Sequence, residues 1–238
     1  MSRRLPLSLL APLLLAPGLL AAHDLWVEPD GGGYRVLYGH HPAVSHAGAR
    51  EIPLAAEAVR QVICLEQGGG HRPAQIGSGP PVRVEGDCAV IYVLTSSGYW
   101  TRTTAGTRNI RKTEAAAPLG SWQSFESVTH VSAWGPAAAG GVGAPLEIVP
   151  LQDPLGLRDG DKLAVQVLAD GKPVAGAVVS YDGKARGETG RDGTLNVRVR
   201  HGGLQLIQAS LRTPHPGPEA DEVVHTTALT FQSGGTAP

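Results

Sequence analysis

Two groups of histidines near the start of the chain have the residue types and spacing of a metal site. His23 and Asp24 follow a small-residue pair, Ala21-Ala22, where an export signal is expected to be cut. Cleavage after Ala22 makes His23 the first residue, and its free α-amine and ring nitrogen can then chelate one ion. Cleavage after Ala21 leaves an amine, an amide nitrogen and the ring for a square-planar ion such as nickel or copper. We expect Asp24 to act as a ligand or to orient the imidazole.

The second group is Gly39-His40-His41-Pro42, with His46 close behind. Adjacent histidines on a strand point to opposite faces, so that one alone would face the terminus, whereas in a turn both could converge. Imidazole suits nickel, cobalt, copper and zinc, and ligand type therefore does not identify the ion. The alternative is a loose terminus and a solvated loop that carry histidines by chance. The predicted metal ligands are His23, Asp24, His40, His41 and His46.

The remaining polar residues do not predict catalysis. The sequence contains no HExxH or GxSxG motif and no glycine-rich loop of the phosphate-binding type, so we expect a protein that is not an enzyme. His201 and His225 share the alternation of apolar neighbours and are predicted to be core histidines. Glu126 is interpreted as a solvated carboxylate rather than an acidic ligand.

The first 22 residues have the layout of a secretory signal peptide: two arginines, an apolar run from Leu5 to Leu20, and small residues at the cut. Three prolines interrupt the run, which favours a cleaved signal over a retained anchor. We therefore expect a periplasmic protein with no membrane span after cleavage. A net charge of −1 without a basic patch argues against nucleic-acid binding.

The chain has two cysteines, Cys64 and Cys88. In an oxidising compartment they fit one disulfide, and the alternative is a pair of buried free thiols. Both lie in apolar, β-branched runs, 59–65 and 88–94, and neighbouring strands would bring them within bridging reach. Neither is part of a CxxC motif, so redox catalysis is not suggested.

The elements that must position these residues are mostly strands. Short alternating runs separated by Asp-Gly and other turn signals predict an all-β protein with two β-sandwich-like domains. We assign residues 23–145 to an N-terminal β-rich metal-binding domain and residues 146–238 to an immunoglobulin-like β-sandwich. Residues 109–117 are a candidate short helix, residues 121–130 fit a helix or a strand, and residues 137–143 are expected to form a loop.

The chain resembles the periplasmic components of cobalt/nickel-type ABC transport systems of the energy-coupling factor kind, a group catalogued as a domain of unknown function. The likeness keeps its order through nearly the whole mature chain. It is carried by His23-Asp24-Leu25-Trp26-Val27-Glu28-Pro29, Tyr38-Gly39-His40, Ser97-Gly98-Tyr99-Trp100-Thr101, Ser121 to Val128, Leu146 to Leu151 with Asp153-Pro154, Gly171 to Ala177, Arg200 to Gln205 and His225 to Leu229.

The resemblance implies a protein that captures nickel or cobalt and passes it to the membrane subunits of an importer. The His-Asp start of that group corresponds to His23 and Asp24, and its Gly-His pair to Gly39 and His40. At the next two positions the chain departs from the pattern, with His41 where a non-histidine is expected and Pro42 where a histidine is expected.

Two other functions remain open from the sequence. A copper protein with an amine-plus-imidazole brace, either a chaperone or an oxidase, would use the same terminal histidine. A structural or adhesive β-sandwich protein without a metal is the third possibility, because a fold of this kind does not determine function.

Overall fold

The alternating side-chain pattern builds this chain into β-sheets, which confirms the all-β, sandwich-like fold class. The structure, a computed structural model, describes residues 23–41, 50–77, 79 and 81–234. The expected signal peptide, residues 1–22, and His46 lie outside the described residues.

The described part of the chain contains eighteen strands, two 3-10 turns and one short helix. The strands of the first half are β1 (Asp24–Pro29), β2 (Gly33–His40), β3 (Arg50–Glu51), β4 (Val59–Leu65), β5 (His71–Arg72), β6 (Gln75–Ile76), β7 (Val82–Glu85), β8 (Val90–Thr103), β9 (Gly106–Arg108) and β10 (Gly120–Val131). Those of the second half are β11 (Glu147–Pro150), β12 (Lys162–Ala169), β13 (Lys172–Pro173), β14 (Val178–Tyr181), β15 (Lys184–Glu188), β16 (Thr194–Arg198), β17 (Gly203–Pro214) and β18 (Glu222–Ser233). The 3-10 turns span Ala56–Ala58 and Lys112–Glu114, and the helix α1 spans Pro136–Gly140.

Three sheets form from these strands. The first has the order β1-β2-β7-β6, with β3 also paired to β2. The central sheet has nine strands in the order β15-β14-β17-β18-β10-β8-β4-β5, with β9 also paired to β8. The third joins β11, β12 and β13, with β16 also paired to β12. The central sheet therefore takes strands from both halves of the chain.

Each face of the central sheet packs against one of the other sheets. On one face, Val93 and Val128 of the central sheet meet Leu25 and Val27 of β1 in a single core. On the other face, residues such as Leu229 pack against the alternating apolar side chains of β12. Burying an aliphatic side chain contributes about 1.5–3 kcal/mol, and these two cores therefore hold the three layers together.

The expected boundary at residues 145 and 146 falls between two segments that share this central sheet. Strand β10 of the first segment pairs in parallel with β18 of the second, from Trp122 opposite Glu222 to Val131 opposite Phe231. The second segment also covers one face of that sheet with β11, β12 and β16. Whether each segment folds independently stays a prediction.

Local structure departs from the sequence-based expectation in two places and resolves a third. The candidate helix at 109–117 is reduced to the 3-10 turn Lys112–Glu114, and the expected loop at 137–143 contains most of α1. Residues 121–130 form a strand, because they lie between β8 and β18 and hydrogen-bond to both.

A disulfide joins Cys64 in β4 to Cys88 just before β8, with the two Cα atoms 5.3 Å apart. The predicted pairing is thus confirmed, and an intact disulfide favours a secreted protein. None of the helices in the described residues has the length and apolar character needed to cross a membrane.

Candidate metal-binding site

The antiparallel pairing of β1 with β2 brings His23 and His40 together. Asp24 lies opposite Gly39 in the register, so the next residues outward on each strand, His23 and His40, face one another at the end of the pair. Their ring centroids are 5.0 Å apart and the ring planes are inclined by 60°. The predicted approach of the strand-end His40 to His23 is present in the structure.

This separation fits two ligands of one ion. Metal–imidazole nitrogen distances are about 2.0–2.1 Å, and two imidazoles on one tetrahedral ion then have centroids about 5 Å apart. Burial, and then the neighbouring His40, lower the pKa of His23. A lowered pKa favours the neutral ring, which is the form that binds a metal.

A small hollow adjoins His23 on the face of the central sheet. Its walls come from β1, β10, β17 and β18, the strands that meet where the first sheet crosses the central one. The residues that line the hollow are His23, Leu25, Glu126, Ser127, Gln208, Thr226, Thr227 and Ala228. The His23 imidazole and the Glu126 carboxylate therefore line the same hollow, although the two residues are about a hundred positions apart in the sequence.

Glu126 is half-buried in this hollow with its Oε2 atom shielded from solvent, so the interpretation as a solvated carboxylate is wrong. Burial raises its pKa to about 7, against the lowering effect of the nearby Tyr38 hydroxyl. Its Oε2 atom is buried and has no hydrogen-bond partner among the described residues. A buried carboxylate oxygen without a partner costs free energy, and a cation in the hollow would remove that cost.

Tyr38 connects the two groups, and the sequence reasoning did not single it out as a site residue. Its hydroxyl lies 3.2 Å from Nδ1 of His23, and the charge of Glu126 contributes, after burial, to raising the pKa of Tyr38. Tyr38 and His40 are two residues apart on β2 and so share a face. That alternation is the signal in the sequence that could have identified Tyr38.

Asp24 is buried beside the histidine pair, but its carboxylate already has two partners. Its Oδ2 accepts a hydrogen bond from the backbone N–H of His41 at 2.9 Å, and its Oδ1 accepts one from the Gln208 side-chain amide at 3.0 Å. This arrangement suits the orienting role that was one of the two expectations for Asp24.

His41 points away from the His23–His40 pair. Its ring packs edge-on against Trp26, with centroids 5.2 Å apart, and the residue is buried. Burial lowers the pKa of His41, while the charges of Asp24 and Glu28 raise it. Of the predicted ligands, the structure therefore brings His23 and His40 together, sets His41 on the opposite face of β2, and leaves His46 outside the residues it describes.

Within the ranges that the structure describes, no three histidine, cysteine or carboxylate side chains are arranged as a complete metal site. His23 and His40 are a pair with Glu126 nearby. A larger hollow next to Tyr38 is lined mostly by apolar residues such as Val36, Ile52 and Leu54, and no imidazole lines it. We therefore place the candidate site at the pair and not at the larger hollow.

The other histidines have structural surroundings. His225 is buried against Phe125 as predicted, whereas His201 is half-exposed and hydrogen-bonds Asp182 through Nε2 at 3.0 Å. His130 is 1% exposed and bonds the Thr230 hydroxyl through Nδ1. None of the three lines the His23 hollow.

Comparison with known proteins adds a family assignment. No curated protein matches the chain. A family model described as a domain of unknown function, DUF4198, matches residues 20–213, which include β1, β2, β10 and both histidines of the pair. Because this match covers well over half of the chain, the protein belongs to the DUF4198 family.

Proposed function

We propose that this protein binds a divalent transition metal, nickel or cobalt, through His23 and His40, and delivers it in the periplasm to an ABC-type importer. The observation that carries the proposal is the 5.0 Å separation of the two imidazole rings at the end of the β1–β2 pair. The protein acts as a carrier, and no turnover of a substrate is part of the proposal.

The surroundings of the pair support a cation at this position. Glu126 contributes a buried carboxylate whose Oε2 lacks a partner in the described residues. Its charge would offset that of the ion, and carboxylate and imidazole together are a ligand set that nickel and cobalt accept. Asp24 supports the pair from the side by holding the backbone of His41.

Among the residues that the structure describes, two imidazoles face each other at this site, and a site with two protein imidazoles suits a carrier. Two protein imidazoles leave coordination positions that water can fill, as open positions do in metal sites that exchange their ligands. A receiving protein can then supply its own ligands before the carrier releases the ion. A closed four-ligand site would bind more tightly but would release the ion more slowly.

Separate observations support the periplasmic location and the importer as the partner. The Cys64–Cys88 disulfide favours a secreted protein, and the expected signal peptide points to the periplasm. Delivery to the membrane subunits of an importer rests on the resemblance of the chain to periplasmic components of cobalt/nickel transport systems.

Isothermal titration of the chain that begins at His23 tests the proposal. We expect one nickel or cobalt ion per chain, and a loss of at least about tenfold in affinity, or 1.4 kcal/mol, in His23→Ala and in His40→Ala. His71→Ala is the matched control. His71 is exposed on β5 at the edge of the central sheet, whereas the histidine pair lies at the end of β1 and β2 in the first sheet. Equal affinities in all four proteins, or no binding at all, would overturn the proposed site.

Copper is a separate outcome of the same experiment. Competition of copper against nickel, read by copper electron paramagnetic resonance, measures the preference between the ions. Copper has the higher intrinsic affinity for nitrogen ligands, so tighter copper binding alone is not decisive. A copper spectrum that requires the α-amine of residue 23 would favour the copper-brace function instead.

A further inference from the structure

Arg50 lies in a row with His23 and His40 across three neighbouring strands. Strand β3 pairs antiparallel with β2, and Arg50 is directly opposite His40 in that pairing. Residues directly opposite each other in an antiparallel pair point to the same face, with Cβ atoms about 4.5–5.5 Å apart. His23 faces His40 from β1, on the other edge of β2. The three side chains therefore lie on one face at the end of the first sheet, with His40 in the middle.

The backbone of Arg50 is held in place, whereas its side chain is exposed. The Ile52 N–H donates to the Tyr38 carbonyl oxygen at 2.7 Å, which continues the pairing of β3 with β2 beyond the Arg50–His40 position. Arg50 is exposed, and no carboxylate in the part of the chain that the structure describes forms an ion pair with it. Its guanidinium is therefore available to an anion that approaches the histidine pair.

A permanent positive charge beside the pair opposes the binding of a bare divalent ion, because an arginine side chain stays protonated and like charges repel. The opposite holds for an ion that arrives with an anionic chelator. A divalent ion bound to a tricarboxylate has a net negative charge, and the planar guanidinium of an arginine forms two parallel hydrogen bonds with a carboxylate. The position of Arg50 therefore favours a complexed ion over a bare one.

We propose that the protein takes up nickel or cobalt as a complex with a small multidentate carboxylate, with the ion on His23 and His40 and a carboxylate of the chelator on Arg50. This inference rests on the proposed function for the binding of the ion. Two imidazoles leave coordination positions that chelator oxygens can occupy, and these ions accept imidazole and carboxylate together. Glu126 adjoins the His23 end of the row and Arg50 forms the other end, so the two charges orient the complex.

Isothermal titration of the chain that begins at His23 with preformed nickel–citrate tests the inference. We expect Arg50→Gln to bind this complex at least about tenfold more weakly than the natural chain, because the variant lacks the charged fork. Bare nickel should bind both chains within about threefold of each other. Arg50→Lys keeps the charge without the fork and should recover part of the loss. Arg108→Gln is the matched control, because Arg108 is exposed on β9, opposite Thr101 in β8, and should match the natural chain.

Equilibrium dialysis with isotope-labelled citrate measures whether the chelator stays with the ion, and we expect the natural chain to retain citrate together with nickel. Nickel–ethylenediamine, which has no carboxylate, should bind the natural chain and Arg50→Gln equally. Retention of nickel without citrate, or equal affinities of these two chains for nickel–citrate, overturns this inference and leaves the metal-binding function standing. An equal loss for bare nickel and nickel–citrate in Arg50→Gln also overturns it, because Arg50 then acts on the histidine pair itself. Absence of binding for nickel in every form overturns the proposed function and this inference with it.

Discussion

The Asp24 carboxylate accepts a hydrogen bond from the backbone N–H of His41 at 2.9 Å and so links the end of β2 to the start of β1. Its other oxygen accepts from Gln208 on β17, which joins both strands to the central sheet. His40 is the residue just before His41, and His23 the one just before Asp24. The carboxylate therefore fixes the backbone on both sides of the histidine pair without belonging to the pair.

Removal of this carboxylate should cost stability and loosen the pair. Asp24→Ala removes the carboxylate that accepts from the buried N–H of His41, and loss of such an acceptor destabilises a protein by about 1–3 kcal/mol. We expect that loss in urea unfolding, and a weaker nickel affinity because His40 is less well held.

Asp24→Asn is the control that separates a supporting role from a ligand role. The amide oxygen can still accept from His41, and Gln208 can turn its own amide to pair with the new N–H₂ group. We expect nickel affinity within a few-fold of the natural protein. Loss of binding in Asp24→Asn with stability retained would identify Asp24 as a direct ligand.

Gly39 is required where β3 approaches β2. Its φ of +139° is one that other residues rarely adopt, and a Cβ atom there would overlap the backbone carbonyl oxygen of Arg50. Gly39→Ala should therefore displace β3 and tilt His40, with a destabilisation of about 1–3 kcal/mol.

The measurement is thermal unfolding together with nickel titration. Gly68→Ala is the matched control, because nothing lies within 4 Å of a Cβ at Gly68. If Gly39→Ala matches Gly68→Ala in both measurements, the close approach of β3 does not determine the position of His40.

Part of this arrangement could be predicted from the sequence. Strand-forming residues predicted β2, and alternation predicted β12. The approach of His23 to His40 at the end of the β1–β2 pair is a local relationship that a register argument can reach. The disulfide followed in the same way from two apolar runs. Such predictions succeed because neighbouring strands constrain one another within a short length of chain.

Glu126 and the parallel pairing of β10 with β18 could not be predicted in this way. The surroundings of Glu126 depend on β1 crossing over the central sheet, a contact between residues about a hundred positions apart. Alternation places Glu126 on one face of a strand but does not say whether that face is covered. The same uncertainty let residues 121–130 fit either a helix or a strand until β8 and β18 were seen on both sides.

Glu126 should make the metal-free protein less stable as the pH rises. Its pKa is raised from 4.5 to about 7 in the folded state, so the folded protein holds this proton more tightly than the unfolded chain does. The stability that comes from the protonated form is fully present below pH 4.5 and is lost as the pH rises to 7. The loss is about 3 kcal/mol, from the shift in pKa.

Urea unfolding of Glu126→Gln in the presence of a chelator checks this prediction. The advantage of the variant over the natural protein should grow between pH 5 and pH 7 and stay constant above it. Added nickel should reverse the order at pH 8, because the carboxylate then faces a cation. Parallel stability curves for the two proteins across this range would show that Glu126 is solvated after all.

Two buried histidines should make the protein less stable as the pH falls. Burial lowers the pKa of both His130 and His225 from 6.5 to about 4. The stability that comes from their neutral forms is fully present above pH 6.5 and is lost as the pH falls toward 4, by about 3 kcal/mol each. Because Glu126 gains about as much in the same range as one of these histidines loses, the natural protein should lose about 3 kcal/mol on acidification instead of the roughly 6 kcal/mol expected from the two histidines alone.

His225→Leu isolates one of these contributions. The His225 Nε2 atom is buried without a hydrogen-bond partner in the described structure, so an apolar side chain of similar size removes an unsatisfied group. We expect the variant to lose less stability than the natural protein between pH 6.5 and pH 4, with exposed His71→Leu as the control. Identical acid profiles for the two variants would mean that His225 is accessible to protons in the folded protein.

The disulfide should contribute more to stability than either metal-site histidine. Cys64 and Cys88 are 24 residues apart, and closing a loop of that length lowers the entropy of the unfolded chain enough to stabilise the fold by about 3 kcal/mol. Cys88 is also fixed by Tyr34, whose hydroxyl donates to the Cys88 carbonyl oxygen at 2.6 Å and accepts from the Cys88 N–H. The native position of Cys88 thus does not depend on the disulfide alone, and the reduced protein should keep its fold at a lower unfolding temperature.

Thermal unfolding with and without reductant measures the difference, and Cys64→Ser/Cys88→Ser should show the lower temperature in both conditions. A reductant effect that persists in the double variant would have to come from elsewhere, while complete unfolding of the reduced chain at room temperature would show that Tyr34 and the core cannot hold this region without the disulfide.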